Sequence, residues 1–197
     1  GFGLVLNSVL LILGLAIMIT LPRDLTYPEG AVVWGAWKAG QGRPVYEDWH
    51  QWPHYFALYG PALYYPVGWL ARGLGHHTLD MTYYLLGRMQ SLGYILGLGL
   101  TASLLARRAG CGRWTALFCG AGLLSLFPPI LGYVISFRPD APMVFWNTLA
   151  VWLALGGWNR RWRRWSVLGC LALAAAYKHA GWAAPLVIFF LAWRESG

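Results

Sequence analysis

The sequence predicts an all-α, polytopic transmembrane helical bundle of about five to six spans. The chain is 58% hydrophobic and only 11% charged, whereas an average soluble domain has about 25% charged residues. Apolar runs close to the roughly 20 residues that cross a bilayer recur along it. The net charge of +8 does not indicate nucleic acid, because the arginines flank the apolar runs. The predicted partner is the lipid bilayer.

The predicted spans follow the uncharged runs. The first run is free of charge, the second ends at Arg107 and Arg108, and the last apolar region is divided by Lys178 and His179. A lysine at the centre of one long span would cost roughly 2.5–3.5 kcal/mol, which favours two short helices there. The spans are residues 2–21, 85–106, 114–136, 141–158, 165–177 and 180–193.

The loop of residues 22–82 is acidic, aromatic and interrupted by prolines. Residues 30–40 have apolar side chains at helical spacing, with Pro28 and Glu29 as helix-start residues. Residues 61–74 form an apolar run that is too short to span a bilayer. Both are predicted to be short interfacial helices.

The arginines predict the orientation. The short loops 107–113 and 159–164 carry three and four arginines and no acid, which places them in the cytoplasm by the positive-inside rule. The N-terminus is then cytoplasmic and the loop 22–82 lies outside. Six of the seven acids fall on the outer face. A binding or reaction site is therefore expected there.

Several motifs appear in one order along the chain. They are Tyr27-Pro-Glu-Gly30, Gly42-Arg-Pro-Val-Tyr46, His54-Tyr55, Tyr59-Gly-Pro-Ala-Leu-Tyr-Tyr65, Gly87-Arg88-Met-Gln-Ser91, Arg138-Pro-Asp140-Ala and Tyr177-Lys178-His179-Ala. This series resembles the N-terminal part of bacterial GT-C glycosyltransferases, in particular the protein O-mannosyltransferase-like and aminoarabinose-transferase-like family. Tyr177 and His179 depart from the Thr-Lys-x-Thr pattern of that family.

The resemblance implies a membrane enzyme of the bacterial inner membrane. Such an enzyme moves a sugar from a polyprenyl-phosphate-linked donor to a glycan, lipid or protein acceptor at the outer face. Members are longer, so residues 1–197 would be a single membrane domain from the N-terminal part. A non-enzymatic transporter or lipid-carrier flippase is the alternative, although paired broken helices are not evident. Some members use a divalent cation, but no spacing here fixes a metal geometry.

The family's chemistry needs a carboxylate to accept the proton of the acceptor hydroxyl. Glu29 matches the acidic position of the family's first-loop motif and is the predicted general base. Its alternative role is a helix N-terminal carboxylate favoured by the macrodipole. Asp24 is the second candidate, as base or metal ligand, and its alternative role is an interfacial charge paired with Arg23.

Three residues of the loop are predicted to bind substrate, namely His54, Tyr55 and Tyr59. For His54 and Tyr55 an interfacial anchor is the alternative. Glu47 and Asp48 are adjacent and point apart in an extended segment, so both are interpreted as solvated loop charges.

Four further substrate-binding candidates flank the later spans. Lys178 and Arg88 are cations near apolar runs, where they could stabilise the leaving phosphate or snorkel to the interface. Asp140 is interpreted as a polar group at the floor of the site or as a helix N-cap. Arg138 is its expected partner.

Overall fold

A computed structural model describes residues 13–14, 16–26, 28–47, 50, 57–125, 135–158, 160–179 and 183–196. Within these ranges the regular structure is helical and no strand occurs. The helices are α1 (Glu29–Gly40), α2 (Pro61–Gly73), α3 (Met81–Arg108), α4 (Arg113–Ser125), α5 (Asp140–Ala154), α6 (Arg161–Tyr177) and α7 (Ala183–Ser196). The prediction of an all-α chain is confirmed for this part.

Both short helices of the first loop are present, as α1 and α2. The break at Lys178 is present as well. Lys178 has extended backbone angles (φ −157°, ψ 124°) at the C-cap of α6, and the next helix begins at Ala183. The sequence therefore placed these helix boundaries within a few residues.

The prediction of five to six spans is wrong. In the described part of the chain, one helix is long and apolar enough to cross a membrane, and it is α3, with 28 residues. Helices α4 to α7 have 13 to 17 residues, or about 20–26 Å at ~1.5 Å per residue. A hydrocarbon core is about 30 Å thick. The single long helix is compatible with membrane association.

The chain divides into two compact units. Unit 1 contains the described residues of Gly1–Leu58, Leu63–Leu92 and Phe127–Arg138, and unit 2 those of Tyr59–Ala62, Gly93–Leu126 and Pro139–Gly197. The prediction of one membrane domain stays a prediction.

In unit 1, helices α1 and α2 cross at glycines. A Cβ added to Gly68 would lie 2.6 Å from the backbone nitrogen of Gly40, so the two backbones touch where neither residue has a side chain. The Arg72 guanidinium donates to the Gly40 carbonyl at 2.8 Å. The buried apolar side chains of α1 are Val32, Val33, Ala36 and Ala39. This contact fixes the C-terminal half of α1 against α2, and Glu29 lies at the other end of α1.

In unit 2, helix α5 packs against α6 and α7. Ala150, Ala154, Val167, Cys170 and Ile188 form the buried cluster of this packing. The turn between α5 and α6 contains Gly157 at φ 94°, a backbone conformation that glycine adopts without a steric cost. Asp140 at the start of α5 lies 2.6 Å from Lys178 at the end of α6, so the two packed helices run antiparallel, with the arginines of 160–164 at the other end of the pair.

Candidate functional site

Glu29 and Arg88 form a fully buried ion pair in unit 1, and both side chains are 0% exposed. Arg88 Nε donates to Glu29 Oε1 and Arg88 NH2 donates to Oε2, each at 2.9 Å. Two backbone amides also donate to the carboxylate: Phe137 N to Oε1 at 2.9 Å and Leu25 N to Oε2 at 2.7 Å. Each oxygen thus accepts two hydrogen bonds.

The remaining donors of Arg88 bind the backbone that leads into the first loop. Its guanidinium donates to the carbonyl oxygens of Met18, Ile19, Leu21 and Arg23 at 2.6–3.2 Å. The bidentate fork of arginine suits this arrangement, because its five N–H groups point in fixed directions. Arg88 therefore fixes residues 18–29 against α3.

This geometry does not favour the predicted substrate roles of Glu29 and Arg88. A general base must reach the proton that it abstracts, and the Glu29 oxygens are enclosed and fully hydrogen-bonded. Glu29 is the first residue of α1, which is the alternative role that the sequence allowed. We assign the pair, called here the Glu29–Arg88 clamp, to holding the loop.

Asp24 lies in the segment that the clamp holds, and its side chain is exposed. Tyr84 of α3 donates its hydroxyl hydrogen to Asp24 Oδ1 at 2.8 Å. The carboxylate also lies close to Gly30, where an added Cβ would come within 2.8 Å of Asp24 Oδ2. Asp24 is thus an accessible carboxylate with one oxygen oriented by a tyrosine.

A second polar cluster lies in unit 2. Lys178 Nζ contacts Asp140 Oδ1 at 2.6 Å, and both side chains are more than a quarter exposed. Asp140 is the first residue of α5, one position after the N-cap Pro139. Next to Lys178 in sequence, Tyr177 exchanges a hydrogen bond with Tyr94 of α3 between their hydroxyls at 2.8 Å. The structure pairs Asp140 with Lys178, whereas the sequence suggested Arg138 as its partner.

The other predicted binding residues are sequence neighbours of these contacts or fall outside the described part. Gly60, next to Tyr59, donates its amide to the Tyr177 carbonyl at 3.0 Å, and Arg138 follows Phe137. His54, Tyr55 and Asp48 fall outside the described residues. Tyr59 and Arg138 are partly exposed. Glu47 is not a simple solvated charge, because its Oε2 lies 2.7 Å from Nζ of the buried Lys38.

Sequence reasoning missed three tyrosines, Tyr84, Tyr94 and Tyr177, as hydrogen-bonding members of these clusters. Tyr84 is four residues before Arg88, so the two share a face of α3, and the Arg88 guanidinium carbon lies 5.3 Å from the centroid of the Tyr84 ring. This four-residue spacing could have indicated that Tyr84 lies beside Arg88. The partner of each tyrosine hydroxyl comes from a distant segment and had no local signal.

Among the described residues, no group of three or more His, Cys, Asp or Glu side chains is placed to hold a metal ion. Comparison with protein-family models, with curated proteins and with solved structures finds no match to this chain.

Proposed function

We propose that this chain is a glycosyltransferase that acts at the outer face of a bacterial membrane on a polyprenyl-phosphate-linked sugar. The ordered motifs of the sequence suggest the class and the donor. One structural observation supports the chemistry: Asp24 presents an exposed carboxylate from a loop that the buried Glu29–Arg88 clamp fixes. Precise positioning of a reacting group is what such a transfer requires.

Asp24 is the general base of the proposed reaction. Its Oδ2 takes the proton of the acceptor hydroxyl while the hydroxyl oxygen of the acceptor attacks the anomeric carbon of the sugar. The bond from this carbon to the phosphate oxygen breaks, and polyprenyl phosphate leaves with the electron pair. Tyr84 orients the carboxylate through Oδ1, so Oδ2 is the oxygen proposed to meet the acceptor.

Lys178 is the proposed anion-binding residue of unit 2. An ammonium group has three donors, and one is directed to Asp140. The Asp140 carboxylate orients the ammonium group, and a phosphate oxygen of the donor is the proposed further partner. This assignment is tested separately from that of Asp24.

The test compares wild-type protein with Asp24→Asn in proteoliposomes. The measured quantity is the rate at which radiolabelled sugar is transferred from polyprenyl phosphate. Asparagine has the same shape and still accepts the hydrogen bond of Tyr84, but it cannot take a proton. We expect turnover to fall by at least 10²-fold, the lower end of general-base contributions. Lys178→Gln should lower turnover as well, with a larger effect on the apparent affinity for the donor.

Asp80→Asn is the matched control, since Asp80 is another partly exposed carboxylate of unit 1 and asparagine keeps a side-chain oxygen for the helix cap. It should transfer sugar at the wild-type rate. Wild-type turnover by Asp24→Asn would remove Asp24 as the base. If wild-type protein consumes no polyprenyl-linked sugar but moves the carrier across the bilayer, the flippase alternative replaces the transferase.

A further inference from the structure

One end of unit 2 gathers seven arginines together with exposed tryptophans. The arginines are Arg107, Arg108, Arg113, Arg160, Arg161, Arg163 and Arg164, at the C-terminus of α3 and the N-termini of α4 and α6. Trp114 is 70% and Trp165 63% exposed. The proposed transferase chemistry uses none of these residues. They are called here the arginine–tryptophan end.

Contacts within unit 2 show that the segments meet. Arg108 NH1 donates to the carbonyl of Trp152 near the end of α5, and the guanidinium carbon lies 5.4 Å from the centroid of the Trp152 ring. The turn after α5 leads directly to α6. The Arg163 guanidinium of α6 lies close to Gly156 in that turn, 2.8 Å from where an added Cβ would be. Because α4 begins five residues after α3 ends, its first arginine belongs to the same end.

The charge of this end has no carboxylate nearby in sequence. Between residues 81 and 194 the sole acid is Asp140, and its Oδ1 lies 2.6 Å from Lys178 at the opposite end of the α5–α6 pair. The N-terminus of α6 adds to the positive potential, since a helix dipole is positive there. Its N-cap, Arg160, makes no side-chain cap hydrogen bond. An external anion is the complementary partner of such a surface.

The surrounding side chains favour a lipid surface over a nucleic acid. Arg107 and Arg108 end α3, the helix that is long and apolar enough to cross a membrane, and therefore fall at headgroup depth. Trp114 is followed on the same face of α4 by Leu117 and Phe118, which are exposed. Tryptophan beside arginine, with apolar residues beyond, is the pattern of the membrane–water interface.

We infer that the arginine–tryptophan end binds the headgroups of anionic phospholipids. The guanidinium groups and the α6 N-terminus contact the lipid phosphates, while Trp114 and Trp165 lie at the level of the glycerol backbone. Each arginine near an anionic surface strengthens binding about fivefold. The inference is independent of any transferase activity.

Native mass spectrometry of the detergent-solubilised full chain tests the inference. It measures how much phosphatidylglycerol and phosphatidylcholine the protein retains at low and at high salt. Wild-type protein should retain phosphatidylglycerol preferentially, and salt should reduce that preference. Arg161→Gln/Arg164→Gln should weaken phosphatidylglycerol binding by about 25-fold. The control Arg23→Gln/Arg43→Gln removes the same charge from exposed arginines of unit 1 and should leave binding unchanged. Thermal unfolding verifies that both variants are folded.

Equal losses in the two double variants would overturn the site, since they would reflect net charge alone. Equal retention of the two lipids by wild-type protein would also overturn it. Binding of inorganic phosphate or of a single-stranded RNA that outcompetes phosphatidylglycerol would assign the surface to another anion and exclude the lipid.

Discussion

At the scale of single residues, Glu29 and Arg88 depend on each other for their burial. Removing one charge leaves the other enclosed without a counter-ion, which typically costs about 3–5 kcal/mol. We therefore expect Glu29→Gln or Arg88→Met alone to lower the free energy of unfolding by roughly that amount. Chemical denaturation in detergent micelles measures it.

The double variant distinguishes a coupled pair from two independent sites. With both charges removed, the loss should be smaller than the sum of the single losses by about 0.5–3 kcal/mol. Additive losses would contradict the clamp. Because Glu29→Gln is expected to destabilise the fold, loss of activity in that variant would not identify Glu29 as the base, whereas Asp24→Asn tests Asp24 directly.

At the scale of elements, the crossing of α1 and α2 depends on two glycines. Gly68→Ala would force a methyl group into the backbone of α1, and overpacking of this kind typically costs 1–3 kcal/mol. The expected result is a lower unfolding midpoint.

Gly73→Ala is the matched control for this prediction, since it makes the same substitution in the same helix. No atom lies within 4 Å of the position of its Cβ, so its stability should be unchanged or higher by up to about 1 kcal/mol. Equal destabilisation by the two variants would mean that the crossing does not need Gly68.

Helix α3 begins with a carboxylate cap whose effect depends on pH. Asp80 Oδ1 accepts the Thr82 amide at 2.8 Å, and Oδ2 lies 2.7 Å from His76 Nδ1. Burial alone would raise the pKa of Asp80, but the hydrogen bonds of His76 and Thr82 outweigh it and lower the pKa. A lowered pKa in the folded state means that the charge stabilises the fold above about pH 4 and that this contribution is lost as pH falls through the folded pKa.

Asp80→Asn removes that titration while keeping a side-chain oxygen at the cap. We expect wild-type protein to be more stable than the variant near neutral pH and the difference to shrink below about pH 4. Thermal unfolding between pH 3 and 7 measures both curves. Parallel curves across that range would show that the Asp80 carboxylate makes no pH-dependent contribution.

At the scale of the whole molecule, local signals predicted the helices and failed on the spans. Glu29, Pro61 and Lys178 marked real helix boundaries, because caps, prolines and charges act on their own segment. Composition alone suggested spans where the helices are 13–17 residues long. The length of a helix is set by the residues at which it begins and ends. The average hydropathy of a segment does not locate those residues.

The candidate site was also predictable only in part. The charged residues of the first loop were visible in the sequence, but the tertiary partner that decides the role of each was not. Glu29 meets Arg88 across 59 residues and Phe137 across 108. Such contacts follow from tertiary packing, so the sequence could not choose between the two alternative roles that it allowed for Glu29.

Helix α3 is the candidate span, and a central charge tests whether it crosses a bilayer. Leu96 is exposed near the middle of α3 and Leu104 is exposed near its end. Leu96→Arg should cost roughly 2.5–3.5 kcal/mol of insertion, seen as a lower inserted fraction in microsomes. Leu104→Arg should insert nearly as well as wild type, since arginine near an end reaches the headgroups. Equal insertion of the two variants would contradict a span at α3.

The Glu29–Arg88 clamp also sets an order of events during synthesis. Its last donor, Phe137 N, is made 108 residues after Glu29, or about 5–20 s later at 5–20 residues per second. Until then the Glu29 carboxylate lacks at least one of its four hydrogen bonds, and burying it with an unpaired lone pair is costly. The full set of hydrogen bonds that holds the segment carrying Asp24 is therefore available only after Phe137, just before α5, has been made.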